Sequence, residues 1–87
     1  MLIRYFGAAR AATGVDEENL QFQDGDTVQA VLRRLEERHP NPAGDGPALA
    51  GVISRSSFLC NEVAVRDEQQ PLAATDTLDI LPPFAGG

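Results

Sequence analysis

Apolar residues recur at helical spacing in one stretch of this sequence. Four of them lie at positions i, i+3, i+4 and i+7 and so share one face of a helix. They are Val28, Val31, Leu32 and Leu35. Most of the residues between them are polar or charged. The spacing therefore predicts one main amphipathic helix whose apolar stripe faces a core.

Both ends of this helix are marked by residues that suit helix termini. Asp26 or Thr27 can cap its start, and Gln29 lies three residues after Asp26, as in a capping box. At the other end, His39 occupies a position where a positive charge suits the helix dipole, and Pro40 ends the helix. We expect His39 to have a capping or solvent-exposed role rather than that of a general base.

Alternating apolar and polar residues predict strands on both sides of the helix. They cover residues 2–6, 18–22 and 77–81, together with a hairpin over 57–66 whose two-residue turn starts at Asn61. The residues expected to face inward are Ile3, Tyr5, Leu20, Phe22, Phe58, Cys60, Val63, Val65, Leu78 and Ile80.

Two shorter helical segments complete the pattern. Residues 8–12 favour a helix that Gly14 stops. After a loop over 40–47 that is rich in proline and glycine, apolar spacing predicts one helical turn over 49–53. Leu72 is an isolated apolar residue in a polar loop, and we expect it to pack under the edge of the core.

One helix across a small mixed sheet is typical of an α+β domain of the β-grasp type. We expect the first strand beside the last in the middle of the sheet. Residues 1–81 then form the domain, and residues 82–87 form a flexible C-terminal tail that continues from a central strand.

The same alternation places a set of apolar residues on the sheet face away from the helix. They are Leu2, Phe6, Leu59, Ala64 and Leu81. An exposed apolar patch with a polar rim often marks a partner site, so we expect a protein partner to bind there. A register error of one residue would instead exchange the two faces.

Charge narrows the classes of partner. The 87 residues carry a net charge of −6, and all seven Lys/Arg positions are arginine. Nucleic acid and anionic membranes bind basic surfaces, so we expect neither as a partner. A single cysteine, no apolar run long enough for a membrane span and no signal peptide predict a cytoplasmic protein.

Side chains that commonly carry catalysis or bind metals are sparse. Cys60, the only cysteine, is predicted to be a small core residue rather than a reactive thiolate. No cluster of cysteine and histidine offers metal ligands, and no glycine-rich segment has the residues of a phosphate-binding loop. We therefore expect no bound cofactor and no metal site.

The last six residues are the candidate functional segment: Pro82, Pro83, Phe84, Ala85, Gly86 and Gly87. The prolines end the strand and keep the start of the tail extended, Phe84 offers one apolar anchor, and the glycines allow a narrow tip. We expect a free carboxylate on Gly87 to be the reactive group, once ATP has adenylated it on another protein. The alternative is a frayed chain end without a function.

Several segments resemble the small subunit of molybdopterin synthase, a family of ubiquitin-like sulfur carriers. The residues that carry the resemblance are Arg4-Tyr5-Phe6-Gly7-Ala8-Ala9-Arg10, Asp26-Thr27-Val28, Asn61, Leu72 and Leu81-Pro82-Pro83-Phe84-Ala85-Gly86-Gly87. The ending matches the family's Pro-Pro-x-x-Gly-Gly pattern and is the most specific part. Three positions depart from the family's sequence: Ala11 replaces a frequent Glu, Ala74-Thr75-Asp76 replaces a frequent Asp-Gly-Asp, and Phe84 replaces the commoner Val.

The resemblance implies a division of labour between proteins. A separate adenylating enzyme, similar to ubiquitin-activating enzymes, would use ATP to activate Gly87, and sulfur would then replace one oxygen to give a thiocarboxylate. The large subunit of the synthase would receive the tail and pass the sulfur to a cyclic pterin precursor of molybdopterin. The residues implied in partner binding are Gly86, Ala85, Phe84, Pro83, Pro82, Leu81, Phe6, Leu59 and Ala64.

Three other functions fit the same sequence. The first is a sulfur carrier for another product, such as thiazole, cysteine or a thiolated tRNA base. The second is a protein modifier that is joined through Gly87 to lysines of other proteins. The third is an interaction module of the ubiquitin-like type with an inert tail.

Overall fold

The computed structural model describes residues 1–83, which form five strands and three helices. The strands are β1 (Leu2–Tyr5), β2 (Glu17–Asn19), β3 (Ser57–Cys60), β4 (Val63–Ala64) and β5 (Thr77–Leu81). The helices are α1 (Gly7–Thr13), α2 (Val28–Arg38) and α3 (Leu49–Ile53). The elements predicted from the sequence are all present, with ends that differ by a few residues.

The five strands form one mixed sheet in the order β2-β1-β5-β3-β4. Strand β5 pairs in parallel with β1 on one side and antiparallel with β3 on the other. The first strand therefore lies beside the last in the middle of the sheet, as predicted. Because β5 is hydrogen-bonded along both edges, the segment that follows it starts from a strongly constrained strand.

Helix α2 packs its apolar stripe into the core on one face of the sheet. All four predicted stripe residues are buried, and Ile3, Leu78 and Ile80 of the central strands are buried with them. Full burial of an aliphatic side chain of this size contributes about 1.5–3 kcal/mol. Leu72 joins the same core from the loop before β5, as predicted.

Thr27 is the N-cap of α2, because its side-chain oxygen accepts a hydrogen bond from the N–H of Ala30 at 3.2 Å. The predicted capping box between Asp26 and Gln29 is wrong. Both side chains are used elsewhere: Asp26 binds Arg34, and Oε1 of Gln29 accepts a hydrogen bond from a glutamine side chain of the loop before β5.

Asp26 is a buried carboxylate that ties the loop before α2 to the middle of the helix. Its Oδ1 and Oδ2 accept hydrogen bonds from Nη1 and Nη2 of Arg34 at 2.6 and 2.7 Å. The N–H of Gln23 donates a further bond to Oδ2 at 2.9 Å. The bonds from Arg34 hold the pKa of Asp26 below its usual value, although burial acts in the opposite direction.

Helix α1 ends at Gly14, as predicted. Gly14 adopts a left-handed conformation with φ 78°, and its N–H donates to the carbonyl of Arg10 at 2.8 Å. A Cβ at this position would lie 3.1 Å from the Cβ of Ala43, so a larger residue would also press on the loop between α2 and α3. The short helix α3 was predicted at the same residues, 49–53, and its three large apolar side chains are buried.

Strand β1 ends one residue earlier than predicted, at Tyr5. Phe6 is the N-cap of α1 and has an extended backbone, while Gly7 has φ 49°, so the chain turns into the helix directly after the strand. Ile3 and Tyr5 are buried, as predicted.

Strand β2 covers Glu17–Asn19 instead of the predicted 18–22. It pairs antiparallel with β1, and the next residue, Leu20, exchanges hydrogen bonds with Met1 at 2.8 and 2.9 Å. Beyond Leu20 no residue of the described chain continues the pairing with β1, which ends the strand. The predicted inward side is still correct, because Leu20 is buried and Phe22 packs against the core.

Asn61 and Glu62 form the tight turn between β3 and β4, with φ values of 51° and 69°. Cys60 lies opposite Val63, as predicted. The prediction that Val63 faces the core is wrong, however, because 68% of this residue is exposed. Strand β4 has two residues at the edge of the sheet and pairs only with β3, so the core ends before it reaches Val63. Val65 packs against the core from the end of the hairpin.

The extent of the described chain bears on two further predictions. Within residues 1–83, no helix is both long enough and apolar enough to cross a membrane. Of the predicted tail, Pro82 and Pro83 belong to the described residues, whereas residues 84–87 lie outside them. A flexible tail over 82–87, with a domain boundary at residue 81, therefore stays a prediction.

The substitution Asp26→Asn is expected to lower the free energy of unfolding by about 2 kcal/mol, because Arg34 loses its charged partner. The pKa of Asp26 is lowered on folding. Its carboxylate therefore stabilises the fold above the unfolded pKa of roughly 3.9, and this contribution is lost as the pH falls through the folded pKa. The deficit of the variant should be largest near neutral pH and shrink below about pH 4, as measured by urea unfolding at a series of pH values.

Asp24→Asn is the matched control, because Asp24 is an exposed residue of the same turn and loses the same charge. This variant should change the free energy of unfolding by less than about 0.5 kcal/mol. Equal losses in the two variants would show that net charge, and not the bond to Arg34, controls stability here.

Candidate functional site

The predicted tail leaves the sheet at the end of β5. Leu81 and Pro82 are half-buried, and Pro83 is exposed. A Cβ on Gly7 would lie 4.0 Å from the Cγ of Pro82, so the first proline of the tail is close to the start of α1. Neither proline has an N–H to donate to a neighbouring strand. The strand therefore ends at the position predicted from the sequence.

Phe84, Ala85, Gly86 and Gly87 lie outside the described residues. Their predicted roles as apolar anchor, narrow tip and reactive carboxylate are not tested by the structure and stay predictions. The structure describes the base from which these four residues continue, and that base is the end of a central strand.

A groove of about 390 Å³ lies beside the base of the tail. Its lining is mostly apolar and comes from α1, from α3 and the residues on either side of it, and from the two prolines. The lining residues are Ala8, Pro47, Gly51, Val52, Arg55, Pro82 and Pro83. Sequence patterns did not predict this groove, because its residues come from three distant segments that only the fold brings together.

The sheet register places the predicted apolar patch on the face away from α2. We call this surface the outer face and define it by Leu2, Phe6, Leu59, Ala64 and Leu81. The alternative register, shifted by one residue, is excluded because the residues that alternate with the outer-face positions in β1, β3 and β5 are buried. The predicted role of the outer face in partner binding is not tested by the structure and stays a prediction.

An ion pair that was not predicted lies at the centre of the outer face. Arg4 of β1 and Leu59 of β3 are the neighbours of Asp79 on β5. Nε and Nη2 of Arg4 donate to Oδ1 and Oδ2 of Asp79, and both distances are 2.7 Å. The side chain of Asp79 is 5% exposed and that of Arg4 is 37% exposed. The pair follows from the parallel alignment of β1 and β5, which places these two residues side by side.

Arg4 is held by a second neighbour as well. The Cζ of its guanidinium lies 5.8 Å from the centroid of the Phe6 ring, and Phe6 is 40% exposed. This contact places Phe6 on the same face as Arg4. The hydrogen bonds and charge of Asp79 raise the pKa of Arg4 above its usual value, and Glu62 and Glu17 contribute in the same direction. Arg4 is therefore a fixed cation that stays charged throughout the physiological pH range.

A polar network fixes the end of the outer face that is far from the tail. Nδ2 of Asn61 donates to Oδ1 of Asp76 at 2.8 Å, and Oδ1 of Asn61 accepts from the N–H of Thr77 at 2.9 Å. The N–H of Ala73 donates to Asp76, and this bond is the main cause of the lowered pKa of that carboxyl. Asn61, one of the residues that carry the family resemblance, thus ties the hairpin turn to the start of β5.

The two side chains that were weighed for catalysis lie in structural settings. Cys60 is buried, and burial raises the pKa of its thiol, with a further contribution from Asp76. His39 is the C-cap of α2, which confirms the capping role. Its Nε2 lies 2.7 Å from Oε2 of Glu18, which also accepts a hydrogen bond from the hydroxyl of Tyr5 at 3.0 Å. This cluster joins α2 to β1 and β2.

Within residues 1–83, no group of three or more His, Cys, Asp or Glu side chains is arranged to hold a metal ion. What this part of the chain offers is a surface. The outer face and the base of the tail adjoin each other through Leu81, so one partner can contact both.

Solved structures of similar fold come from archaea and bacteria. SAMP1, the small archaeal modifier protein 1 of Haloferax volcanii, has a TM-score of 0.76 at 22% identity, covering 99% of this chain and 97% of that one. A chain in the complex of subunits 1 and 2 of molybdopterin-converting factor from Helicobacter pylori has a TM-score of 0.62 at 19% identity, covering 99% and 96%. Identities this low show the fold alone, and that fold is the predicted β-grasp.

Similarity in sequence extends over almost the entire chain. The molybdopterin synthase sulfur carrier subunit of Chlamydomonas reinhardtii is 29% identical over 86 residues, which are 98% of this chain and 95% of that protein. The model of the ThiS family matches residues 3–87. These matches confirm the resemblance predicted from the sequence, and the chain belongs to the ThiS family.

Proposed function

We propose that this protein is the sulfur carrier subunit of a molybdopterin synthase and donates sulfur from a thiocarboxylate on Gly87. The observation that carries the proposal is the position of the ending: Leu81 closes a central strand, and the Pro-Pro-Phe-Ala-Gly-Gly segment follows it directly. Membership of the ThiS family and the similarity to the Chlamydomonas carrier support the same function.

The strand before the tail supplies a fixed base. Strand β5 is hydrogen-bonded to β1 and β3, so the start of the tail moves only with the whole sheet. Six residues, 82–87, extend over at most roughly 20 Å. Glycines at the tip have no Cβ, so they fit a narrow channel and adopt backbone angles that other residues avoid. A partner that binds the sheet can therefore take Gly87 into an enclosed site.

Activation takes place on a separate adenylating enzyme. A carboxylate does not react with sulfur nucleophiles, because its oxygen is a poor leaving group. An oxygen of the Gly87 carboxylate attacks the α-phosphate of ATP and pyrophosphate leaves. A hydrosulfide then attacks the acyl carbon, the carbon–oxygen bond to AMP breaks, and the products are AMP, a proton and the thiocarboxylate. ATP is thus used by the activating enzyme and is not a cofactor of this chain.

The sulfur is then transferred in the large subunit of the synthase. The thiocarboxylate sulfur attacks a carbon of a cyclic pterin precursor, and a carbon–oxygen bond at that carbon breaks, its oxygen leaving with the electron pair. Water then hydrolyses the acyl–sulfur bond, which leaves the sulfur on the pterin and restores the Gly87 carboxylate with release of a proton. The similarity in fold to a chain from the complex of subunits 1 and 2 of molybdopterin-converting factor supports such a partner. The net charge of −6 suits docking beside basic groups that hold a phosphorylated pterin.

Incubation with a cognate adenylating enzyme, ATP and sulfide should convert the protein to its thiocarboxylate. Intact-mass spectrometry should show one oxygen replaced by one sulfur, with the change located at Gly87 by fragmentation. Omission of ATP is the control and should leave the mass unchanged. A protein that gains no sulfur under these conditions would contradict every sulfur-carrier function.

Deletion of Gly87, or addition of one alanine after it, should abolish sulfur transfer while changing the melting temperature by less than about 1 °C. The physical reason is that the core formed within residues 1–83 is left unchanged, so only the position of the reacting carbon should change. Thermal unfolding and sulfur loading are measured on the same samples. Gly44→Ala is the matched control, since a Cβ there meets no atom within 4 Å, and it should keep both stability and activity. A large loss of stability on deletion would show a structural role for the tail.

A second candidate is a sulfur carrier for another product. Ala11 and Ala74-Thr75-Asp76, which depart from the molybdopterin synthase pattern, favour it. The two functions are separated by mixing the thiocarboxylate form with the large synthase subunit and the pterin precursor. Formation of a dithiolene product supports the first function, and its absence supports the second.

A further inference from the structure

Stability does not explain the ion pair on the outer face. A buried or half-buried ion pair is often no more stable than two apolar residues of similar size, because both charges must be removed from water. Asp79 lies on the solvent side of a central strand, where Leu2, Leu59 and Leu81 already provide apolar neighbours. An apolar pair at positions 4 and 79 would complete a continuous apolar surface. The charged pair therefore points to recognition.

The pair is built so that Arg4 keeps donors for another molecule. Arg4 has five N–H donors, and the hydrogen bonds within residues 1–83 use two of them, both on Asp79. The two carboxylate oxygens of Asp79 each accept one of these bonds at 2.7 Å. The guanidinium is also fixed over the ring of Phe6. A partner thus meets an arginine whose orientation is already set, which reduces the entropy lost on binding.

The surroundings of the pair are apolar near the centre and acidic at both sides. Phe6 is exposed beside it, and Ala64 is exposed on the far side of Leu59. Glu17 of β2 lies opposite Arg4, and Glu62 lies in the hairpin turn. Both glutamates act on the charge of Arg4. Arg4 and Asp79 cancel each other, so the two glutamates leave the immediate surroundings of Arg4 negatively charged.

We propose that the outer face docks on a protein surface that is apolar, carries a neutral hydrogen-bond acceptor opposite Arg4 and has basic side chains opposite Glu17 and Glu62. The Arg4–Asp79 pair is the specificity determinant of this contact. A purely apolar surface would leave the remaining donors of Arg4 unpaired on burial, which costs binding free energy. An acidic surface would be repelled by the glutamates.

The position of the tail supports the same partner. Asp79 and Leu81 belong to the strand that precedes residues 82–87, and Gly87 is the eighth residue after Asp79. Extended, this stretch of chain spans at most roughly 29 Å. A protein that takes up Gly87 therefore stands within reach of the outer face. The inference rests on the proposed function in two respects, which are the uptake of Gly87 by the partner and the choice of the large synthase subunit as the probe.

The test uses the double variant Arg4→Met/Asp79→Leu and the large molybdopterin synthase subunit of the same organism as the probe. Because an apolar pair replaces the ion pair, the melting temperature should be unchanged or higher. Binding measured by calorimetry should be about tenfold weaker or more, as for a central arginine contact. A variant that binds within about twofold of the original protein, or an original protein that does not bind the probe, would overturn the inference.

Two further variants keep the test independent of folding. Arg4→Lys retains a cation beside Asp79 but lacks the planar fork of donors, so it should also weaken binding. Arg33→Met/Glu37→Leu removes one exposed cation and one exposed anion from α2, on the other side of the sheet. This matched control should bind like the original protein, and an equal loss in it would overturn the role of the ion pair.

The basic rim of the partner is tested by salt dependence. Glu62→Gln should lower the association rate and reduce its dependence on ionic strength. An unchanged salt dependence would overturn this part of the inference.

Sulfur loading separates failure of the inference from failure of the proposed function. If the original protein gains no sulfur, the proposed function is contradicted. If it gains sulfur but the double variant binds the large subunit as tightly as the original protein does, only the inference is contradicted.

Discussion

The surface that this chain presents to a partner depends on the pairing of β5 with a strand on each side. The inward side chains of β5, Leu78 and Ile80, are fully buried in the core under α2. The outward side chain of Asp79, which lies between them in sequence, is held by Arg4 of the neighbouring strand. A single strand thus carries both the core and the centre of the outer face, and the tail follows from its end.

The protein contains two arginine–aspartate ion pairs that have different roles. Asp26 and Arg34 form a bidentate ion pair between a loop and a helix, and a backbone N–H also donates a hydrogen bond to the carboxylate. Arg4 and Asp79 form a pair of similar geometry across two strands, on a face that no element of residues 1–83 covers. The first pair joins parts of the same molecule, whereas the second leaves its cation available to another one.

Local patterns predicted most of the fold. The apolar stripe of α2 follows from helical spacing. The end of α1 before Gly14 and the turn at Asn61 follow from the backbone conformations that glycine and asparagine adopt. All three features depend on residues that are close in sequence. The errors arose where distant residues decide. Strand β2 is short because its pairing with β1 runs out, and Val63 is exposed because β4 lies at the sheet edge. The groove beside the tail and the Arg4–Asp79 pair likewise need the strand order. The roles of residues 84–87 were argued from the sequence and family resemblance, and they stay predictions.

The two edges of the sheet have a consequence for the protein at high concentration. An open sheet edge offers unpaired N–H and C=O groups that can bind a strand from another molecule and begin aggregation. Here one edge is β4, with two residues, and the other is β2, with three residues that include two glutamates. Both edges are short and β2 is acidic, so an incoming strand can form few hydrogen bonds with them. If the glycine-rich ending is used as proposed, such edges protect it against capture by other copies of the protein.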